Sequence, residues 1–329
     1  MSLPGSGAPV SARIERARRA AEVALVSVGL RSADAVGAGS ATSDDGGAEL
    51  RVVRAGTAVL LAAPHEGVLV RVDDRVGGAR AARHLAVGHA LARLGVPAVR
   101  PLPGLDAPVE VDGSAVTVWK LERLVRAQAS PAQVGHLAGR LHRATRDGVG
   151  WEGLDTFDPL RDVTEQLAIA ELAGGEAALL DEVVADVARR WGAAVATEHG
   201  RSVDGSVVGP WGIVHGDLHA GNVLVTRRGP VLADLELAGV GPVAYDLVAP
   251  VVAVLRYDAP VSTLVAYQRA YRAPVPPAAR HGVLRDAYEL WLTSWALANR
   301  HLDGAHALEA TRRLDRWRRP RRAAGWSLR

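Results

Sequence analysis

The sequence predicts an α+β fold in two successive parts, a small, mostly antiparallel sheet followed by a mostly helical region. Two observations predict it. Strand-like runs fill most of 50–122, with one helical segment among them. From Ser130 onward, apolar residues recur mainly at helical spacing. With 329 residues, the chain is long enough for one large domain or for two lobes.

The first part contains one helix before the sheet and one within it. Residues 11–30 are predicted to form a surface helix, and the Gly- and Ser-rich residues 37–48 a flexible linker. A second helix is expected over 79–95, because its apolar residues have helical spacing and Gly95 is a usual C-terminal stop. Strands are predicted at 50–64, 67–74, 108–113 and 114–122.

The second part begins at a helix signal. Ser130 and Pro131 are the residue types preferred at an N-cap and a first helical turn, so we expect a helix over 131–145. A strand pair is predicted around the turn Arg227-Arg228-Gly229, with the second strand over 230–238. Further helices are expected over 159–198 and 243–318.

Composition excludes several classes of protein. The chain has no cysteine, which excludes disulfides, a thiol nucleophile and a Cys zinc site, and we expect a cytoplasmic protein. No apolar stretch is long enough to span a membrane. The C-terminal region 305–329 is rich in arginine. Nucleic-acid binding is one interpretation of this charge, but a solvated helix face with a basic tail is favoured, since no recognition module accompanies it.

The segment 213-IVHGDLHAGNVLV-225 concentrates polar side chains between two apolar runs. Its His215, Asp217 and His219 alternate, and on an extended strand all three would point the same way and could bind a metal. This predicts a metal-dependent hydrolase as one hypothesis. However, Gly216 and Gly221 indicate a loop, and the other histidines are scattered along the chain.

Phosphoryl transfer explains the same segment differently. That reaction needs a carboxylate that positions the attacking hydroxyl and oxygen ligands for Mg²⁺. Protein kinases supply an Asp, an Asn five residues later and a second Asp on the following strand pair. Asp217, Asn222 and Asp234 have this order and spacing.

The motif HGDLHAGNVL followed by ADLE resembles the aminoglycoside phosphotransferase / choline kinase family, whose members are relatives of protein kinases. The resemblance covers roughly 45–300. It implies a two-lobed, protein-kinase-like fold and transfer of the ATP γ-phosphate to a small-molecule hydroxyl, with GTP as an alternative donor and Mg²⁺ required. We therefore expect these divisions: an N-terminal helix and linker at 1–44, an N-lobe at 45–124, a C-lobe at 125–320 and a basic tail at 321–329.

The resemblance also implies roles for the residues of this segment. Asp217 would orient or deprotonate the acceptor hydroxyl, and Asn222 and Asp234 would hold Mg²⁺. Supporting positions fall on His215, Glu236 and Asp246. Of these, His215 would brace the loop, Asp246 would help to anchor the catalytic core, and Glu236 would either touch a second metal or cap its segment.

The nucleotide side departs from the family's pattern. The family has a Lys on the third strand that pairs with a helix Glu, and here the matching positions are Arg71 and His84. Arginine can hold phosphate, but histidine cannot replace the carboxylate, so Asp73 or Asp74 could compensate. The other expected nucleotide-binding residues are Gly56 and Thr57 in a short turn, and Leu121 and Arg123 at the hinge.

Members of the family often act on cations, and 151–210 carries an excess of acidic residues. We expect acceptor-binding carboxylates at Asp155, Asp158 and Asp162, although a solvated helix face explains each of them as well. Phe157 could pack an apolar part of the substrate. We expect a monomer or a homodimer. A nucleotide-binding pseudo-enzyme stays open as an alternative, because His84 breaks the expected ion pair, and so does the metal-dependent hydrolase.

Overall fold

The computed structural model describes residues 10–32, 49–56, 58–73, 78–125, 127–196, 208–280, 282–319 and 325–327. The chain forms two compact units, which divide after Val125. The predicted linker at 37–48 and most of the basic tail lie outside the described residues. None of the described helices is both long enough and apolar enough to cross a membrane.

The first unit is a five-stranded antiparallel sheet with two helices. The strands lie in the order β1-β2-β3-β5-β4. The elements are α1 (Val10–Ser27), β1 (Arg51–Ala55), β2 (Val59–Ala63), β3 (Val68–Asp73), α2 (Gly78–Arg93), β4 (Val109–Val111) and β5 (Ser114–Lys120).

The run at 50–64, which we predicted as strand with a short turn at Gly56 and Thr57, forms two strands. β1 and β2 pair antiparallel with Ala55 opposite Val59, and the Gly56 N–H donates to the Ala58 carbonyl oxygen at 3.0 Å. Gly56 therefore follows the end of β1, where the short turn was expected.

The helix α1 belongs to the core of this unit. Four of its alanines and Leu25 are buried and belong to one core cluster with the sheet residues Val70 and Val118. Small side chains on one face allow the helix to lie close to the sheet, and burying Leu25 contributes about 1.5–3 kcal/mol to folding. The first unit therefore includes a helix that precedes the predicted N-lobe.

The second unit is mostly helical, with two short strand pairs. Its elements are α3 (Pro131–Ala144), α4 (Pro159–Ile169), α5 (Gly174–Val195), β6 (Trp211–Val214), β7 (Val223–Thr226), β8 (Gly229–Leu232), β9 (Gly239–Pro242), α6 (Val248–Arg256), α7 (Val261–Tyr271), α8 (Pro277–Arg280), α9 (Val283–Ala298) and α10 (Gly304–Arg318).

The helix α3 begins where the sequence predicts. The Ser130 hydroxyl accepts the Gln133 N–H, and the Gln133 side chain accepts the Ser130 N–H, which is a capping box. The predicted strand over 230–238 is shorter than expected. β8 ends at Leu232 and pairs with β7, whereas β9 is a separate strand that pairs with β6. The residues between β8 and β9 form a short 3₁₀ helix, Leu235–Leu237.

Part of the arginine-rich C-terminal region is buried. Arg313 is 1% exposed and donates to Glu309 at 2.8 Å. Arg316 donates to Glu289, which is fully buried and also accepts two hydrogen bonds from Arg256. Buried charges are retained when they are paired. The Glu289 pairs connect α9 with α10 and α6, whereas the Arg313–Glu309 pair lies within α10.

Candidate active site

The loop between β6 and β7 is anchored through its backbone by Asp246. The Asp246 carboxylate accepts the N–H groups of His215 at 2.8 Å and Gly216 at 2.9 Å, and it lies 3.0 Å from Nε2 of His142 on α3. The carboxylate is completely buried. Two backbone donors and one imidazole on a buried carboxylate fix the start of the loop relative to the helices.

The His215 side chain links the loop to the following strand pair. Its Nε2 lies 2.8 Å from the Ala233 carbonyl oxygen, and its Nδ1 accepts the Asp217 N–H at 3.4 Å. The residue is fully buried. These contacts place His215 as a brace between the loop and the residue that precedes Asp234.

Gly216 is required by the shape of the loop. Its φ of +88° lies in the left-handed region. A Cβ atom at this position would lie 2.9 Å from both Leu237 Cβ and Phe157 Cε2. Glycine therefore permits the sharp turn by which the chain leaves β6 and reaches Asp217.

The Asp217 carboxylate is held at both oxygens. Oδ2 accepts Nδ2 of Asn222 at 3.1 Å and lies 3.3 Å from Nε2 of His219. Oδ1 accepts the hydroxyl of Tyr288 on α9 at 3.2 Å. The Asp217 side chain keeps 18% of its surface exposed, so it is accessible to a reacting molecule.

The surroundings of Asp217 favour its charged form. Burial would raise the pKa of this carboxyl, but the charge and the hydrogen bond of His219 outweigh burial, with help from His215 and the Tyr288 hydroxyl. The pKa of Asp217 is therefore lower than its ordinary value. An ionised carboxylate is the form that can orient a hydroxyl and accept its proton.

Asn222 and Asp234 are brought together by the backbone. The Ala233 N–H donates to the Asn222 carbonyl oxygen at 2.9 Å, and Asp234 follows in the left-handed conformation at φ 59° and ψ 59°. The Asn222 amide nitrogen donates to the Asp217 carbonyl oxygen at 2.8 Å, which directs the amide oxygen away from that contact. An amide oxygen and a carboxylate are a donor set that suits Mg²⁺.

The contacts of the histidines disagree with the hydrolase hypothesis. Both ring nitrogens of His215 contact backbone groups, and Nδ1 of His219 accepts the Gly221 N–H at 3.0 Å. No group of three His, Asp or Glu side chains among the described residues has an arrangement that could hold a metal ion. The alternation of these residues predicted a shared direction, but the loop that begins at Gly216 brings His219 to Asp217, at 3.3 Å, while both ring nitrogens of His215 contact backbone groups.

In the first unit, Arg71 forms an ion pair with Asp73 on the same strand. Its Nε and Nη2 lie 2.8 and 3.2 Å from the two carboxylate oxygens. Both residues are buried. Residues two apart on a strand share one face, which explains how β3 can supply both partners. Asp73 thus supplies to Arg71 the carboxylate partner that the family takes from a helix. Asp74 lies outside the described residues.

His84 of α2 is buried and packs on Trp119, with ring centroids 4.2 Å apart. The position that matches the family's helix Glu in sequence thus contacts an aromatic ring of β5. The Trp119 Nε1 donates to the Thr117 hydroxyl at 2.9 Å. Ring packing is therefore part of the interface between α2 and the sheet, together with buried aliphatic residues such as Leu85.

The remaining predicted nucleotide-binding residues are placed as follows. Gly56 lies in the turn between β1 and β2, and Arg13 of α1 donates to its carbonyl oxygen. Thr57 lies outside the described residues. The Leu121 N–H donates to the Gly67 carbonyl oxygen at 2.9 Å, just after the end of β5. Arg123 is exposed.

The three acceptor candidates differ in their surroundings. Asp155 is half exposed and lies 3.7 Å from Arg161. Asp158 caps α4 by accepting the Leu160 N–H at 3.0 Å. Asp162 is buried in the first turn of α4. The last two lie near Tyr245: its pKa is raised well above the ordinary value, first by burial and then by carboxylates that include Asp217, Asp162 and Asp158.

The expectation that Phe157 packs against a substrate is wrong. Phe157 is 6% exposed and packs against Tyr245 and Trp191, with ring centroids 4.6 and 6.1 Å away. It fills the core behind the loop. Sequence reasoning missed Tyr288 and His142, which touch Asp217 and Asp246 from distant helices. No local motif surrounds either residue, so only the tertiary structure identifies them.

Several solved structures resemble this chain in fold. A choline/ethanolamine kinase family protein from Mesorhizobium loti has a TM-score of 0.56 at 18% identity, over 91% of this chain and 94% of that chain. A microcompartment-associated aminopropanol kinase has a TM-score of 0.58 at 19% identity, over 84% and 91% of the two chains. An amicoumacin kinase in complex with AMP-PNP and Ca²⁺ has a TM-score of 0.61 at 13% identity, over 84% and 90%.

These similarities confirm the predicted α+β, protein-kinase-like fold. Among curated proteins, none matches the chain significantly in sequence. A family model described as the phosphotransferase enzyme family matches residues 41–281, which is well over half of the chain and includes the whole loop around Asp217. The resemblance drawn from the loop is thereby confirmed, and the chain belongs to the phosphotransferase enzyme family.

Proposed function

We propose that this protein transfers the γ-phosphate of ATP, or of GTP, to a hydroxyl group of a small cationic molecule in a Mg²⁺-dependent reaction. The observation that carries the proposal is the Asp217 carboxylate, which is ionised, partly exposed and held by the amide of Asn222 five residues later. A fixed carboxylate beside oxygen ligands is the arrangement that phosphoryl transfer needs.

In the proposed reaction, Asp217 accepts a hydrogen bond from the acceptor hydroxyl and takes its proton as the bond to phosphorus forms. The hydroxyl oxygen bonds to the γ-phosphorus. The bond between that phosphorus and the bridging oxygen breaks, and the electron pair leaves with ADP. His215 and Asp246 act through the loop backbone, so that Asp217 keeps its position during the reaction.

The metal would be held by Asn222 and Asp234. Mg²⁺ bound there would neutralise the charge of the phosphate oxygens. Glu236 lies half buried in the 3₁₀ helix just after Asp234, and we assign it a supporting role in that segment. Within the first unit, Arg71, oriented by Asp73, is the residue proposed to bind phosphate.

A cationic acceptor is supported by the charges and rings near Asp217. The carboxylates of Asp158 and Asp162 help to raise the pKa of Tyr245, so both lie near this residue. The Tyr245 ring centroid lies 5.9 Å from that of Tyr288. Carboxylates and aromatic faces both attract ammonium groups. The fold neighbours include a choline/ethanolamine kinase family protein and an aminopropanol kinase. An amino alcohol or an aminoglycoside-like molecule is therefore the proposed acceptor class. Asp155, which is half exposed, is proposed as a further acceptor-binding carboxylate.

The test is Mg²⁺-dependent ATP consumption by the wild type and by Asp217→Asn, with aminoglycosides, choline-like amines, nucleosides and sugars as acceptors. We expect one class of amine to stimulate consumption, and the variant to bind nucleotide normally without turnover. Full activity of the variant would remove Asp217 from its role. Nucleotide binding by the wild type with no turnover on any acceptor would support a pseudo-enzyme instead.

A further inference from the structure

Tyr288 touches the carboxylate that the proposed reaction depends on, although it lies outside the loop. It belongs to α9, and its hydroxyl donates to Oδ1 of Asp217 at 3.2 Å. The match to the family model ends at residue 281 of this chain, so it assigns no role to Tyr288. The contact joins residues 71 positions apart in the chain.

The contacts within the loop leave one motion of Asp217 only partly controlled. Asp246 fixes the backbone of His215 and Gly216, and Nδ2 of Asn222 and Nε2 of His219 both reach Oδ2 of Asp217. The torsion about Cβ–Cγ is soft in aspartate, so a hydrogen bond to the second oxygen narrows the range of orientations that the carboxylate can take. Tyr288 is the described contact that reaches Oδ1 from a different element.

Tyr288 is itself well fixed. It is 5% exposed, packs edge-on against Tyr245 at 5.9 Å and stacks on Trp291 at 6.1 Å between ring centroids. Burial, followed by the charge of Asp217, raises the pKa of Tyr288 well above its ordinary value, so the hydroxyl keeps its proton and donates. A rigid ring with a permanent donor is suited to hold a carboxylate in one orientation.

We propose that Tyr288 is a positioning residue that sets the orientation of the Asp217 carboxylate toward the acceptor hydroxyl. This inference rests on the proposed phosphotransfer function. It assigns to α9 a direct part in the reaction, beyond its packing against α4 and α5. The hydroxyl acts on Asp217, so its effect belongs to turnover and not to the binding of either substrate.

The experiment compares wild type, Tyr288→Phe and Tyr257→Phe. The first variant removes only the hydroxyl that contacts Asp217. The second is the matched control, because the Tyr257 hydroxyl accepts a hydrogen bond from Arg313 of α10 at 2.9 Å, whereas the Tyr288 hydroxyl donates to Asp217. For each protein we would measure kcat, the KM values for acceptor and ATP, nucleotide affinity by calorimetry and the crystal structure.

We expect Tyr288→Phe to lower kcat about tenfold, with both KM values and nucleotide affinity within twofold of wild type. The crystal structure should show the Asp217 carboxylate rotated or in two orientations. Tyr257→Phe should leave kcat unchanged. Unchanged kcat in Tyr288→Phe, or a higher KM for the acceptor at unchanged kcat, would overturn the positioning role.

If the wild type transfers no phosphate, the proposed function fails, and the crystal structures still decide the inference. A single unchanged orientation of Asp217 in Tyr288→Phe would refute it. A changed orientation would support the control of Asp217 by Tyr288 even then. Failure of the phosphotransfer function can therefore be distinguished from failure of the positioning role of Tyr288.

Discussion

The side chain of Asp246 is joined to the backbone of His215: its Oδ2 accepts the His215 backbone N–H at 2.8 Å. The second oxygen accepts the N–H of Gly216. One buried carboxylate therefore defines the start of the loop, and the position of Asp217 follows from it. We expect the fold of the second unit to depend strongly on this contact.

Asp246→Ala should lower the free energy of unfolding by about 2–5 kcal/mol, because two backbone donors and His142 would lose their shared acceptor. Chemical denaturation would measure the change. Asp106→Ala is the control, since the Asp106 side chain is 90% exposed and should change stability by less than about 0.5 kcal/mol. Similar stabilities for both variants would show that the loop does not need the anchor.

Asp234→Ala should weaken the binding of Mg²⁺–nucleotide about tenfold and leave metal-free nucleotide almost unaffected. The reason is that its carboxylate is assigned to the metal and not to the nucleotide. Calorimetry with ATP, in Mg²⁺ and in EDTA, would separate the two affinities. Asp181→Ala removes an exposed carboxylate of α5 and should change neither affinity. Equal losses in both buffers would mean that Asp234 has a structural role.

Arg71→Lys should raise the KM for ATP about fivefold while the protein stays folded, because lysine keeps the charge but cannot pair with Asp73 through two nitrogens. Arg71→Ala should raise this KM further and also lower the free energy of unfolding by about 3–5 kcal/mol, since a buried carboxylate would lose its partner.

Steady-state kinetics and denaturation would test both variants. Arg51→Ala, on the exposed strand β1, is the control for loss of an arginine from the same sheet. If neither Arg71 variant alters the KM for ATP, another residue holds the phosphates.

His84→Glu should not restore a kinase-type ion pair. Arg71 is already paired with Asp73, and residue 84 packs against Trp119. We expect the buried carboxylate to lower the free energy of unfolding by about 2–4 kcal/mol and the KM for ATP not to improve. Denaturation of this variant beside His65→Glu, at an exposed position, would measure the difference. An improved KM would indicate that the helix carboxylate can still serve the phosphate site.

The loop was predictable because its chemistry is local. The spacing of Asp217 and Asn222, with Asp234 after a short hairpin, is visible in the sequence, and the family match covers it. Helix α3 was also predictable, since its cap uses Ser130 and Gln133 at neighbouring positions. Signals of this kind need only a few consecutive residues.

Other features depended on distant partners. The ring of Phe157 suggested a substrate contact, but in the folded chain it packs on Tyr245 and Trp191. The basic C-terminal region suggested a charged surface, yet Arg313 is buried against Glu309. Whether an aromatic or charged residue faces water depends on which elements pack over it, and this is not encoded locally.

The sequence by itself determined the family, the division into a strand-rich part and a mostly helical part, and the residues of the loop, because the family's motif places fixed residue types at short spacings. Only the tertiary structure decided that Asp73 pairs with Arg71, that Asp246 holds the loop backbone and that Tyr288 reaches Asp217. The last two contacts join residues 31 and 71 positions apart, and such distances are closed by packing of whole elements. Side-chain partners at those separations follow from the fold and not from any pattern in the chain.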